Sequence, residues 1–218
     1  MTICEAMKAA PVAQLPPPTL LSTGVTINLR ARQRLALGAQ CEYVYIVLAG
    51  VLFLESTPHA TSRQILDLYY PGDIVRTRVL PNIPGTSLIA AVPSEVARIN
   101  LARLEGVLES DPEARHWFDC AMVSQYPRRL LHIATVGNLS GEERVVSLLV
   151  ELACRVGNSG YENARTFELP LSRTDMADYL SLNADTLSRI MSRLRQSGVL
   201  GMAGRSRGYA PNFADLCR

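Results

Sequence analysis

Apolar positions along this chain change period partway through. From Leu20 to about Leu104 they come in short runs. VTINLRA alternates, CEYVYIVLAGVLFLE is dense in β-branched and aromatic residues, and Gly50 interrupts it where a turn fits. RQILDLYY, the turn Pro71-Gly72-Asp73 and SLIAAVPSEVARIN, broken at Pro93-Ser94, complete the set. Many short strands punctuated by Gly and Pro predict an antiparallel barrel or jelly roll. From Ser110 the period becomes helical: Ser110 or Asp111 is placed to cap, and Pro112 suits the first turn. Trp117, Cys120, Ser124, Pro127, Leu131 and Ala134 then alternate three and four apart, a heptad-like seam in which Pro127 predicts a kink. Gly137-Asn138 and Ser140-Gly141 end that helix. SGEERVVSLLVELACRVG starts another, with Ser140 as cap and Glu142 and Glu143 near its N-terminus. GNSGYENARTFELPL supplies two short extended pieces.

The next stretch, Leu171 to Leu200, carries two short apolar repeats. Met176, Ala177 and Leu180 form the first, and Leu187, Ile190, Met191 and Leu194 the second. Ser172 with Asp175 makes a capping box for the first helix, and Asn183 caps the second. Two helices sharing an inner apolar face across a tight turn predict a helix-turn-helix. Its second helix leaves Ala184, Asp185, Ser188 and Arg189 outside, near the N-terminus, where a recognition helix reaches base edges. Arg suits guanine, Asp accepts from cytosine N4, and Ser suits either. Arg173, Thr186, Arg193 and Arg195 are placed for phosphates. After Gly198, VLGMAGRSRGYA reads as a β-hairpin wing that brings Arg205 and Arg207 to the DNA backbone.

Composition narrows the partners. The 218 residues allow one or two domains, 48% of them are apolar, and the net charge is only +2. The basic character is local: from Arg189 to Arg207 every charged residue is Arg, as suits a double-stranded DNA face. No apolar tract reaches membrane-spanning length and no signal peptide is apparent, so no membrane partner and a cytoplasmic location are expected. Five cysteines, Cys4, Cys41, Cys120, Cys154 and Cys217, lack CxxC spacing, which argues against a disulfide framework and a metal site. Cys154 is the thiol to watch for redox control. No nucleophile–base pair or phosphate-cradling glycine loop is present, so no catalytic residues and no enzyme are expected.

These motifs resemble the CRP/FNR family of transcription regulators. Asp185-Thr186-Leu187-Ser188-Arg189 is similar to the recognition-helix run of its FNR and FixK-like branch, with Asp where that branch has Glu. YVYIVLAGVL, YYPGDIV and the Glu142-Glu143-Arg144 run resemble the same family's β-roll and first DNA-binding helix. The resemblance implies an α+β chain with an N-terminal antiparallel β-roll of the cyclic-nucleotide-binding type, a long dimerisation helix and a C-terminal winged helix-turn-helix. The boundaries expected are an arm over 1–19, a roll over 20–109, the helix over 110–138 and the DNA-binding domain over 139–218. It implies a homodimer, seamed by Trp117, Cys120, Ser124, Leu131 and Ala134, on a palindrome with TTG and CAA-type half-sites, and RNA polymerase as a further partner.

Effector sites are where this chain departs from the pattern. The Gly-Glu pair and Arg that hold a cyclic phosphate are missing, and Gly85 precedes Thr86-Ser87 where an Arg is wanted. Arg76 and Arg78 are read as solvated or dimer-facing. His59, His116 and His132 give no haem pattern, and one N-terminal cysteine does not make an iron–sulfur cluster. No cofactor is expected. The reading is a sequence-specific DNA-binding regulator; the alternative is a regulator whose DNA binding requires a small-molecule, redox or gas signal in the β-roll.

Overall fold

The structure is a computed structural model, and it describes residues 15–35, 42–59, 62–77, 85–159, 164–204 and 207–216. The chain divides into two compact units, Pro11–Tyr126 and a second that includes Pro127–Arg218.

The first unit begins with α1 (Pro18–Ser22), whose Pro18 occupies the first helical turn, where a missing N–H costs nothing. Residues 18 and 19, expected in a loose arm, are thus helical. Leu20 is fully buried, and the Thr19 hydroxyl donates to the Asp111 carboxylate at 2.8 Å.

Eight strands follow: β1 (Val25–Leu29), β2 (Arg34–Leu35), β3 (Tyr43–Ala49), β4 (Leu52–His59), β5 (Ser62–Tyr69), β6 (Ile74–Arg76), β7 (Ser87–Ala90) and β8 (Ser94–Asn100). They make two antiparallel sheets of order β1-β8-β3-β6 and β2-β7-β4-β5. Tyr45 and Val47 of β3 pack with Leu52, Leu54, Leu88 and Ala90 of the second sheet, forming the core of the roll. Their neighbours Val44 and Ile46 point the other way, toward helical residues Leu104, Leu108, Trp117 and Phe118. Burial on both faces is why β3 reads as a continuous apolar run rather than an alternating one.

Glycine makes the expected turns possible. Gly50 has φ +83°, and a Cβ there would stand 2.7 Å from the Pro93 carbonyl oxygen. In the Pro71-Gly72-Asp73 turn Gly72 has φ +88°, and the Asp73 carboxylate accepts from the Tyr70 N–H at 2.8 Å.

Helix α2 (Leu101–Ser110) is capped by Asn100 and leads into α3 (Pro112–Asn138). Asp111, not Ser110, supplies the cap: its Oδ1 accepts from the N–H groups of Glu113 and Ala114, each at 3.0 Å. These bonds and the Thr19 hydroxyl hold the Asp111 carboxyl below its ordinary pKa, the Ala114 N–H contributing most. Helix α3 continues through Pro127, where the division between the units falls.

The second unit continues with α4 (Gly141–Arg155), β9 (Gly157–Ser159), β10 (Arg165–Glu168), α5 (Arg173–Leu180), α6 (Ala184–Gln196), β11 (Gly201–Ala203), β12 (Arg207–Ala210) and α7 (Phe213–Leu216). The small sheet has the antiparallel order β11-β12-β10-β9. The expected capping box of Ser172 with Asp175 forms, and Ser140, expected as a simple cap, makes a second one with Glu143. Val145, Leu148 and Leu152 of α4, Met176 and Leu180 of α5, and Leu187, Ile190 and Met191 of α6 are buried. Each such side chain contributes about 1.5–3 kcal/mol. The C-terminal part of α3 is held in this unit too. His132 lies flat on Tyr179 of α5, with centroids 3.9 Å apart and planes at 7°, and Arg128 forms a buried pair with Glu151 of α4 at 3.8 Å. The architecture is the expected α+β one: antiparallel sheets, a long helix, and a helix-turn-helix beside a small sheet.

Candidate nucleic-acid interface

The site is built on α6, and a tight turn aims it. Helix α5 ends at Ser181, whose φ of 52° is left-handed, and the Leu182 N–H reaches back to the Ala177 carbonyl at 2.9 Å. Asn183 then opens α6, its side-chain oxygen accepting from the Asp185 N–H at 2.8 Å. With Leu187, Ile190, Met191 and Leu194 buried inward, Ala184, Asp185, Thr186, Ser188 and Arg189 are all exposed. The four residues expected to read bases therefore share an outer surface. The Ser188 hydroxyl donates to the Ala184 carbonyl at 2.9 Å, which uses its proton and leaves its oxygen able to accept. Arg189 forms no ion pair among the described residues.

Ser188, Arg189, Ser192, Arg193 and Gln196 line an open concavity of about 430 Å³. Ser192 and Gln196 escaped the sequence reading; their four-residue steps from Ser188 were the signal that places them beside it. The surrounding arginines differ in state. Arg173, at the start of α5, is half-buried, and burial, with the charge of Arg195 adding, lowers its pKa below the ordinary guanidinium value. Arg195 is exposed. Arg193 pairs with Glu142 of α4 at 2.7 Å, and Arg207 of β12 with Glu168 of β10 at 3.1 Å. Arg205 lies outside the described residues. On the strand face it shares with Arg207, Tyr209 is 39% exposed and covers Gly201 of β11, where a Cβ would collide with its ring. Tyr209 is a second residue the sequence reading passed over.

The residues expected to form a dimer seam do not make one exposed face. Trp117 is 8% exposed, turned into the roll's helix-facing core. Cys120 is exposed, and Ser124, Leu131 and Ala134 are intermediate. The exposed apolar side chains of α3 are instead Val123 and Tyr126 before Pro127 and Leu130 and Ile133 after it, each 62–67% accessible. Their three-four-three spacing runs along the sequence parallel to that of the expected seam.

Elsewhere, Cys154 is half-buried with its Sγ 3.9 Å from Arg165 Nη1, and the Cys120 Sγ lies 3.6 Å from His116 Nε2. Among the described residues no three His, Cys, Asp or Glu groups gather into a metal site, and no helix is long and apolar enough to cross a membrane. Arg76 ends β6 half-buried, Ser87 is buried in β7, and Arg78, Cys4, Cys41 and Cys217 lie outside the described residues.

Residues 143–217 match the model of the Crp-like helix-turn-helix domain. The regulatory protein HlyX of Actinobacillus pleuropneumoniae is 25% identical over 169 residues, 77% of this chain and 70% of that protein. The transcriptional regulatory protein btr of Bordetella pertussis is 30% identical over 158 residues, 72% of this chain and 65% of its own length. Among solved structures, FixK2 from Bradyrhizobium japonicum superposes with a TM-score of 0.72 at 26% identity, covering 89% of this chain and 96% of that one. An exposed polar recognition helix, a wing, an antiparallel roll and these likenesses agree: the chain belongs to the CRP/FNR family of DNA-binding transcription regulators.

Proposed function

We propose that the chain acts as a homodimer on a palindromic duplex with TTG and CAA-type half-sites, within the cytoplasm, and regulates transcription through contact with RNA polymerase. In each half-site α6 enters the major groove, with Ala184, Asp185, Ser188 and Arg189 at base edges. Arg173, Thr186, Arg193, Arg195 and the wing arginines Arg205 and Arg207 meet the backbone. The observation that carries the reading is the outer face of α6, where Arg189 stands exposed and unclaimed by any acid among the described residues while the apolar face is fully used in packing. The exposed stripe Val123, Tyr126, Leu130 and Ile133 supports a two-fold partner along α3, because a large apolar row at heptad spacing is what a parallel helix pair buries.

Selection of duplexes from a random pool by the purified protein, with no ligand added, tests this. Recovery of a TTG…CAA palindrome bound by two chains is the expected result. Recovery of unrelated sequences overturns the half-site, and binding by one chain overturns the dimer.

A further inference from the structure

Two of the arginines on the DNA face already hold a carboxylate. Arg193 Nη1 stands 2.7 Å from Glu142 Oε2, and Arg207 Nε 3.1 Å from Glu168 Oε1. We propose that Glu142 and Glu168 stand in for DNA phosphates, so that docking on a duplex is a carboxylate-for-phosphate exchange at Arg193 and Arg207. This rests on the reading of those two arginines as backbone contacts.

Each pair is made by the fold, since its members lie 51 and 39 residues apart. Glu142 occupies the first turn of α4, yet the capping box there belongs to its neighbour: Glu143 accepts from the Ser140 N–H at 2.8 Å. Glu142 is thereby left to face the recognition helix. Glu168 stands directly across the sheet from Arg207, its register partner on β12. All four side chains are 42–63% exposed. Pairs this open add little to folding, so their main effect falls on the field that a duplex meets.

Both acids sit on arginines proposed to touch phosphate and neither on the base reader. Arg193 and Arg207 are each occupied, whereas Arg189, like the backbone-contact arginines Arg173 and Arg195, forms no ion pair among the described residues. Phosphate contacts carry no sequence information and supply essentially all non-specific binding. Occupying them with carboxylates weakens the sequence-independent share of affinity and leaves the reading group unencumbered. The glutamate released on docking takes up a counter-cation, which offsets part of the ion release that drives DNA binding.

The test is equilibrium binding of the full-length protein to one random-sequence duplex and to the selected duplex over a range of salt. Glu142→Gln and Glu168→Gln are each expected to tighten the random duplex about two- to fivefold, the worth of an exposed pair. Both should steepen the salt dependence. Glu109→Gln, at an exposed position on α2, changes net charge equally and is expected to leave binding as in the wild type. In an Arg193→Ala background the gain from Glu142→Gln should vanish. A gain that persists there, or wild-type binding by Glu142→Gln while Arg193→Ala weakens every duplex, overturns the exchange. Wild-type binding by both Arg193→Ala and Arg207→Ala overturns the underlying assignment of phosphate contacts instead.

Discussion

His132 ties the C-terminal part of α3 to the first helix of the helix-turn-helix, and acid should loosen that tie. Its ring is stacked on Tyr179, and burial lowers its pKa from 6.5 to about 4. Below pH 6.5 the unfolded chain takes a proton at this site while the folded chain does not until about pH 4. The unfolded state therefore binds more protons in that window, and stability falls as pH falls through it. A shift of this size costs about 2 kcal/mol at pH 5 and about 3 kcal/mol at pH 4, relative to pH 8. His132→Phe keeps a flat ring on Tyr179 and removes the titration. Urea unfolding followed by far-ultraviolet circular dichroism, at pH 5 and pH 8 on both proteins, isolates the term as the difference of their pH dependences. A wild-type protein that loses no more stability at pH 5 than His132→Phe, or an NMR titration placing His132 near 6.5, would refute the reasoning.

Three further outcomes are expected. Arg189→Ala should weaken the selected palindrome by about 1–3 kcal/mol and relax preference at one base pair, with thermal stability unchanged because the side chain is exposed. Equal loss on all duplexes in a competition assay would make Arg189 a phosphate contact. Leu130→Glu, a substitution in the exposed stripe of α3, should leave the monomer folded but place a charge at each side of a two-fold seam. Sedimentation should then show dissociation, and an unchanged dimer would move the interface elsewhere. Gly50→Ala should destabilise the β-roll by about 2 kcal/mol or more, since it combines a positive φ with a close backbone neighbour. Chemical denaturation monitored by Trp117 fluorescence measures it, and a neutral result would show that the turn relaxes.

Much of this protein is written locally. The caps at Ser140, Ser172 and Asn183 are side-chain-to-backbone bonds spanning two or three residues, so a linear reading finds them. The turn glycines Gly50 and Gly72 and the inward repeat of α6 belong to the same class, because each depends on backbone geometry within a turn or two. From these followed the strand-rich first part, the long helix, the helix-turn-helix and the outward set Ala184, Asp185, Ser188 and Arg189.

What the sequence left open required partners distant along the chain. The exposed face of α3 could not be chosen from its own periodicity, because two rows at three-four spacing run along it. Sheet residues such as Val44, Ile46 and Ile99 turn Trp117 into the roll, and after Pro127 the contacts of Arg128 with Glu151 and of His132 with Tyr179 set the packed side. Val123 and Tyr126, and Leu130 and Ile133, are the apolar groups left outside. The occupancy of Arg193 by Glu142, and of Arg207 by Glu168, was equally invisible, as nothing in a one-dimensional charge pattern brings residues 51 or 39 apart together. The sequence by itself determined which elements form and which residue types face outward. Only the tertiary structure decided which outward groups are free, because burial and charge pairing depend on what packs opposite.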